Sequence, residues 1–141
     1  MEERDYLDVK SHTDPTADAV IRAWQEKYPT PSMGRVFMPT TYICSKWDDR
    51  DKVLAYCRYA MDMGCIPVSP VLAFGSLLDM SNIEELGQMC FFGKVLLSGC
   101  RQVWVFGEPD KEMKAEIYKA NDRRIPVTYF TENCKEVAFH A

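Results

Sequence analysis

A chain of 141 residues, 47% hydrophobic and 27% charged, fits one globular domain that buries roughly 70% of its unfolded surface. A net charge of −4 speaks against a nucleic-acid duplex as partner, because phosphate contacts need clustered Lys and Arg; a single nucleotide held by backbone amides and a few donors stays open. The charged opening Met1–Tyr6 lacks the apolar core of a signal peptide, and no run of about 18 apolar residues occurs, so a cytoplasmic protein without a membrane span is expected.

The first predicted element is a helix. Asp14 is a good N-cap and Pro15 a good first helical residue, and Ala17, Val20, Ile21 and Trp24 mark one face up to about Tyr28. The stretch from Pro29 to Gly34 breaks it. Residues 1–35 are therefore a helical extension, expected to dock onto the domain or a second subunit, and residues 36–141 form the domain proper.

From Thr40 onward strand and helix patterns alternate. Thr41 to Ser45 is a short strand, and Arg50 to Gly64 a helix with Val53, Leu54, Cys57, Ala60 and Met61 on one face and Gly64 as its stop. Cys65 to Ser69 is a second strand, whose Pro67 implies an edge position. An apolar loop, Pro70 to Asp79, leads to a long apolar helix from Asn82 to Ser98. Val103 to Phe106, Lys111 to Asp122 and Ile125 to Phe130 follow as strand, helix and strand. The last segment, Glu136 to Ala141, reads as an edge strand or as an arm reaching a neighbour. This alternation implies right-handed crossovers and a parallel sheet covered on both faces. The expected fold is a three-layer α/β/α domain with four or five parallel strands. In flavodoxin-like order the Thr41 strand is central, with the Cys65 strand outside it and the Val103 strand on its other side.

Several chemistries lack support. There is no Cys-x-x-Cys, and the only histidines are His12 and His140, so the six cysteines read as reduced core residues; no metal site and no cofactor are expected. Neither common phosphate-cradling glycine motif occurs, and Ser45 does not sit in a Gly-x-Ser-x-Gly elbow.

Ligands of open α/β sheets bind outside the carboxyl ends of the strands. The run from Cys100 to Gly107 reads as a buried strand ending in glycine, and Glu116 follows near the start of the next helix. Helical spacing puts Glu116 on one face with Glu112 and Met113. Two readings stand: a solvated pair with Lys119, or a carboxylate placed for chemistry. The acids among Asp48, Asp49 and Asp51 suit capping of the next helix better than the crevice. Trp47 and Phe74 lie in loops near the crevice and suit stacking on a base as well as plain packing. Ser45 and Ser69 stand at strand ends with hydroxyls free to donate. Trp104 reads as core, and Met61, Met63 and Met89 as core filling.

The ordered set Tyr42-Ile-Cys-Ser45, Lys52 to Ala60, Gly64-Cys-Ile-Pro-Val-Ser-Pro70, Leu78-Asp79, Val103-Trp-Val-Phe-Gly107, Met113-Lys-Ala-Glu-Ile117 and Ile125-Pro-Val127 resembles a family of small, mostly uncharacterised bacterial and phage proteins related to nucleoside 2-deoxyribosyltransferases. The resemblance covers about residues 40 to 130 and implies a Rossmann-like domain that binds a nucleoside or nucleotide. By the Met113–Ile117 match it implies Glu116 as the nucleophile at the anomeric carbon, with Tyr42 as the residue that orients it. Ser45, Lys46, Trp47, Ser69, Phe74, Gly107 and Met113 would line the pocket. A carboxylate suits this step, because cleavage of an N-glycosidic bond passes through an oxocarbenium-like state that it can stabilise or trap. The resemblance also implies a homo-oligomer.

Four positions depart from the family pattern: Lys46 where proline is common, Val71 in place of a histidine, Arg101 in place of an acid and Glu112 in place of a glycine. Two functional classes follow. One is an N-glycosidic transferase or hydrolase. The other is a non-catalytic binder that senses or sequesters a nucleotide-derived molecule, favoured by the added positive charge at Lys46 and Arg101.

Overall fold

The computed structural model describes residues 15–26 and 37–137. The expected cap Asp14, the connector Pro29 to Gly34 and the tail beyond Val137 lie outside the described residues. The chain divides into two units between Phe37 and Met38. In the first, helix α1 (Pro15–Gln25) is amphipathic and starts with proline in its first turn.

The second unit carries β1 (Thr40–Cys44), α2 (Arg50–Asp62), β2 (Ile66–Val68), α3 (Pro70–Phe74), α4 (Ile83–Ser98), β3 (Gln102–Phe106), α5 (Lys111–Asp122) and β4 (Val127–Phe130). The four strands form one parallel sheet in the order β2-β1-β3-β4. Strand β1 is central, and the Pro67 strand lies at an edge. The fold is the Rossmann-like α/β/α type expected, with four strands. Past β4 the chain adds only an isolated antiparallel bridge between Phe130 and Glu136 among the described residues.

Two cores flank the sheet, and the alternation of side chains along each strand assigns residues to them. On one face Ile43 and Phe106 pack with Val53, Tyr56, Cys57 and Ala60 of α2 and with Phe130. Aromatic rings fill much of this layer: Tyr56 stacks on Phe106 at 4.3 Å between ring centroids, Phe106 on Phe130 at 5.0 Å, and Trp104 tilts against Phe130 at 4.7 Å. On the other face Tyr42, Cys44, Val103 and Val105 pack with Leu97 of α4 and with Met113 and Ala120 of α5.

The helices begin where the sequence places caps. Asp49, Asn82 and Asp110 each accept a hydrogen bond from a backbone N–H of the first turn. The segment after β2 corrects the expectation of a loop: Ser69 caps and Pro70 opens the short helix α3, a serine–proline start signal masked by the brevity of the apolar run. Two further corrections concern α2 and its end. Leu54 and Met61 are 46% and 44% exposed, and Met63 is 58% exposed, because Val53, Tyr56, Cys57 and Ala60 already form the stripe that meets the sheet. Met89 is core as expected. Among the described residues no helix is long and apolar enough to cross a membrane.

Helix α4 buries Met89, Gly93 and Leu97 at a spacing of four and leaves Ile83, Phe91 and Val95 exposed. Removing its cap with Asn82→Ala is expected to cost about 1 kcal/mol. Truncating its buried end with Leu97→Ala is expected to cost about 2–5 kcal/mol. Urea unfolding followed by circular dichroism checks both values; equal losses would contradict the assignment of Leu97 to the core.

Candidate functional site

Positions 42 and 44 of β1 share one face of the sheet, and α5 is laid across that face. Asp110 sets the start of α5 by accepting from the Met113 N–H at 2.9 Å. Met113 and Glu116, three residues apart, then point together at the sheet. Glu116 is 3% exposed, so the solvated pairing with Lys119 does not describe it. The Tyr42 hydroxyl, itself fully buried, donates to Glu116 Oε2 at 2.5 Å. The Cys44 thiol donates to the Met113 carbonyl at 3.8 Å and lies near enough to the carboxylate to favour its charged form. The third wall is Gly93 of α4, where a β-carbon would lie 2.9 Å from Tyr42 Oη and 3.0 Å from Glu116 Oε2.

Burial pushes the Glu116 carboxyl up to about 7, against the hydrogen bond from Tyr42 and the nearby Cys44 thiol, which favour the carboxylate. Burial, reinforced by the charge of Glu116, holds Tyr42 and Cys44 well above their ordinary values. Both therefore remain protonated donors at neutral pH, while Glu116 changes charge in the physiological range. A carboxyl perturbed in this way beside a cleft marks a candidate functional site.

The cleft is a pocket of about 380 Å³ between α4 and α5. Ile83, Leu86, Gly87, Cys90 and Lys94 line it from α4, and Lys111, Glu112, Ala115 and Glu116 from α5; Trp47, just past β1, closes one side. Its size and mainly apolar wall suit a small organic ligand. Of the residues singled out in the sequence, the structure brings together Glu116, Tyr42 behind it, Trp47 in the pocket wall and Met113 in the packing beneath.

The others lie elsewhere. Ser45 is buried at the end of β1, and Lys46 donates to the Glu108 carbonyl at 2.8 Å. Ser69 accepts from the Leu72 N–H at 3.3 Å as the cap of α3 and lines a separate groove beside Leu54, Met61 and Pro67. Phe74 ends α3 and packs on Phe92 at 4.9 Å. Gly107 turns the chain after β3 at a φ of +84°, facing Glu132, which is paired with Lys52 at 2.9 Å. Arg101 precedes β3 and Val71 is buried in α3, so neither departure from the family pattern falls among the residues lining the α4–α5 pocket. Among the described residues no group of three or more His, Cys, Asp or Glu is gathered to hold a metal ion.

Sequence reasoning missed Cys44, Gly93, Cys90 and Lys94. A signal existed for two of them: Cys44 is two residues from Tyr42 on a strand, and a glycine inside a helix usually has a packing reason.

The fold and this site define an α/β protein with a buried carboxyl–phenol pair at the wall of an apolar pocket. Within that class the chain belongs to the family described as Domain of unknown function (DUF7768), whose model matches residues 39–130, from the threshold of β1 to the end of β4. No curated protein matches it.

The raised carboxyl of Glu116 has a consequence for stability. Between its ordinary value of 4.5 and about 7 the native protein holds a proton that the unfolded chain has released. The stability linked to that proton is full below 4.5 and is lost as pH rises through 7, by about 3 kcal/mol. Glu116→Gln is expected to flatten this decline and to be the more stable protein at pH 8. Urea unfolding of both proteins from pH 5 to 8 tests it, and parallel pH profiles would refute it.

Proposed function

We propose that the chain binds a nucleoside or nucleotide in the α4–α5 pocket and cleaves or transfers at its N-glycosidic bond, with Glu116 as the nucleophile. The buried Tyr42–Glu116 pair at the pocket wall carries this reading. Attack by the carboxylate at the anomeric carbon forms a glycosyl ester as the bond to the base breaks, and water or a second base then displaces the ester. Tyr42, held protonated, orients the carboxylate rather than acting as a base. Trp47 offers a flat face to the base. A second reading, a non-catalytic binder of a nucleotide-derived molecule, draws on the same pocket and on Lys94 and Lys111 in its wall, whose ammonium groups suit a phosphate.

The test is incubation with a panel of deoxynucleosides, nucleotides and dinucleotides, with chromatography to detect freed base and calorimetry to report binding. The native protein is expected to release base at a rate that rises with pH through about 7, because the carboxylate is the attacking form. Glu116→Gln is expected to bind without release. Tight binding with no release by either protein supports the sequestering reading, and full activity in the variant removes Glu116 from the mechanism.

The charged opening and the reduced cysteines carry a cytoplasmic location and the resemblance a homo-oligomer, for which the exposed Ile83, Phe91 and Val95 of α4 supply apolar surface for contact between copies. Light scattering is expected to give a mass above that of one chain, and a strict monomer would contradict this assembly.

A further inference from the structure

Glycine weakens a helix interior, yet α4 carries two, Gly87 and Gly93, six residues apart. Their surroundings differ sharply. A β-carbon at Gly87 would meet nothing within 4 Å, whereas one at Gly93 would crowd Tyr42 Oη, Glu116 Oε2 and, at 3.7 Å, Pro70. The two atoms that such a carbon would strike are the donor and acceptor of the 2.5 Å hydrogen bond in the site. Tyr42 is fully buried in the sheet and cannot yield, so the Glu116 carboxylate has to give way towards the pocket that it lines, which parts it from the hydroxyl.

We propose that Gly93 is a positioning residue: the bare backbone of α4 at this point is what allows the Tyr42 hydroxyl and the Glu116 carboxylate to meet. The site is thus assembled from three elements. Strand β1 supplies the phenol, α5 the carboxyl, and α4 the flat surface against which the pair is pressed. Any side chain at position 93 drives one partner away from the other. Gly93 does not belong to the residues lining the pocket, so its role concerns the geometry of the reacting group and not contact with a ligand.

A hydroxyl proton in a hydrogen bond this short resonates far downfield, and it serves as the direct readout. The resonance is expected in the native protein, absent from Tyr42→Phe, retained in Gly87→Ala and lost in Gly93→Ala. A folded Gly93→Ala protein that keeps the resonance overturns the proposal. Should Gly93→Ala fail to fold, the double variant Gly93→Ala/Tyr42→Phe decides, because it removes the nearest clashing atom. Melting is then expected to recover towards that of Tyr42→Phe alone, and an equal loss with or without the hydroxyl refutes the proposal. Base release supplies a further arm, which rests on the N-glycosidic reading. There kcat is expected to fall about 100-fold in Gly93→Ala, with the affinity for ligand little changed. Failure of the native protein to release base would remove that reading while leaving the resonance and the double variant as a complete test of the role of Gly93.

Discussion

A carboxyl group sealed inside a protein is unfavourable unless its oxygens find donors, and the packing of this domain on one face of its sheet is arranged around that constraint. Glu116 has left water; in exchange it gains the Tyr42 hydroxyl as donor and the nearby Cys44 thiol, from adjacent same-face positions of the central strand. The compensation is partial, since the carboxyl still titrates near 7 and not below its ordinary value. The domain therefore keeps a destabilising group that an apolar residue of similar size would remove.

The arrangement depends on topology as much as on side chains. A parallel sheet needs long crossovers, and those of this chain bring α4 and α5 side by side over β1 and β3. Tyr42 and Glu116 are 74 residues apart in sequence, and neither position by itself shows that the other is near. The opposite face, with its stacked Tyr56, Phe106 and Phe130, buries no carboxyl group among the described residues and acts as the support against which the strands are held.

Much of the architecture was legible in the sequence, because its signals are local. Short apolar runs of strand formers mark β1 and β3, Asp49 and Asn82 announce their helices, and Pro67 marks the edge of the sheet. The width of a helix face was not legible: Leu54 and Met61 lie beside the buried stripe of α2, and only the position of the sheet decides that they stay outside. Glu116 stood out through a resemblance and its place after a strand, not through any periodicity. Cys90, Lys94 and Gly93 stayed hidden because nothing in an apolar helix says which of its sides will face a carboxylate from the next crossover. Ser69 and Phe74 look like crevice residues until α3 forms and takes the hydroxyl as its cap and the ring as its packing contact with Phe92.

The edge strand β2 has a property that follows from hydrogen-bond direction. Successive residues of a strand turn their amides to opposite sides, and the Ile66 N–H donates inward to the Pro39 carbonyl, so Ile66 and Val68 face β1 while Pro67 faces outward. Proline has no N–H, which leaves the three residues of β2 without a single outward donor. Another chain arriving at this side finds a carbonyl but no amide with which to continue the ladder, so the sheet ends here by its own chemistry. Stacking of misfolded or crowded copies edge to edge, the usual hazard of an open sheet, is blocked on this flank at the level of the backbone.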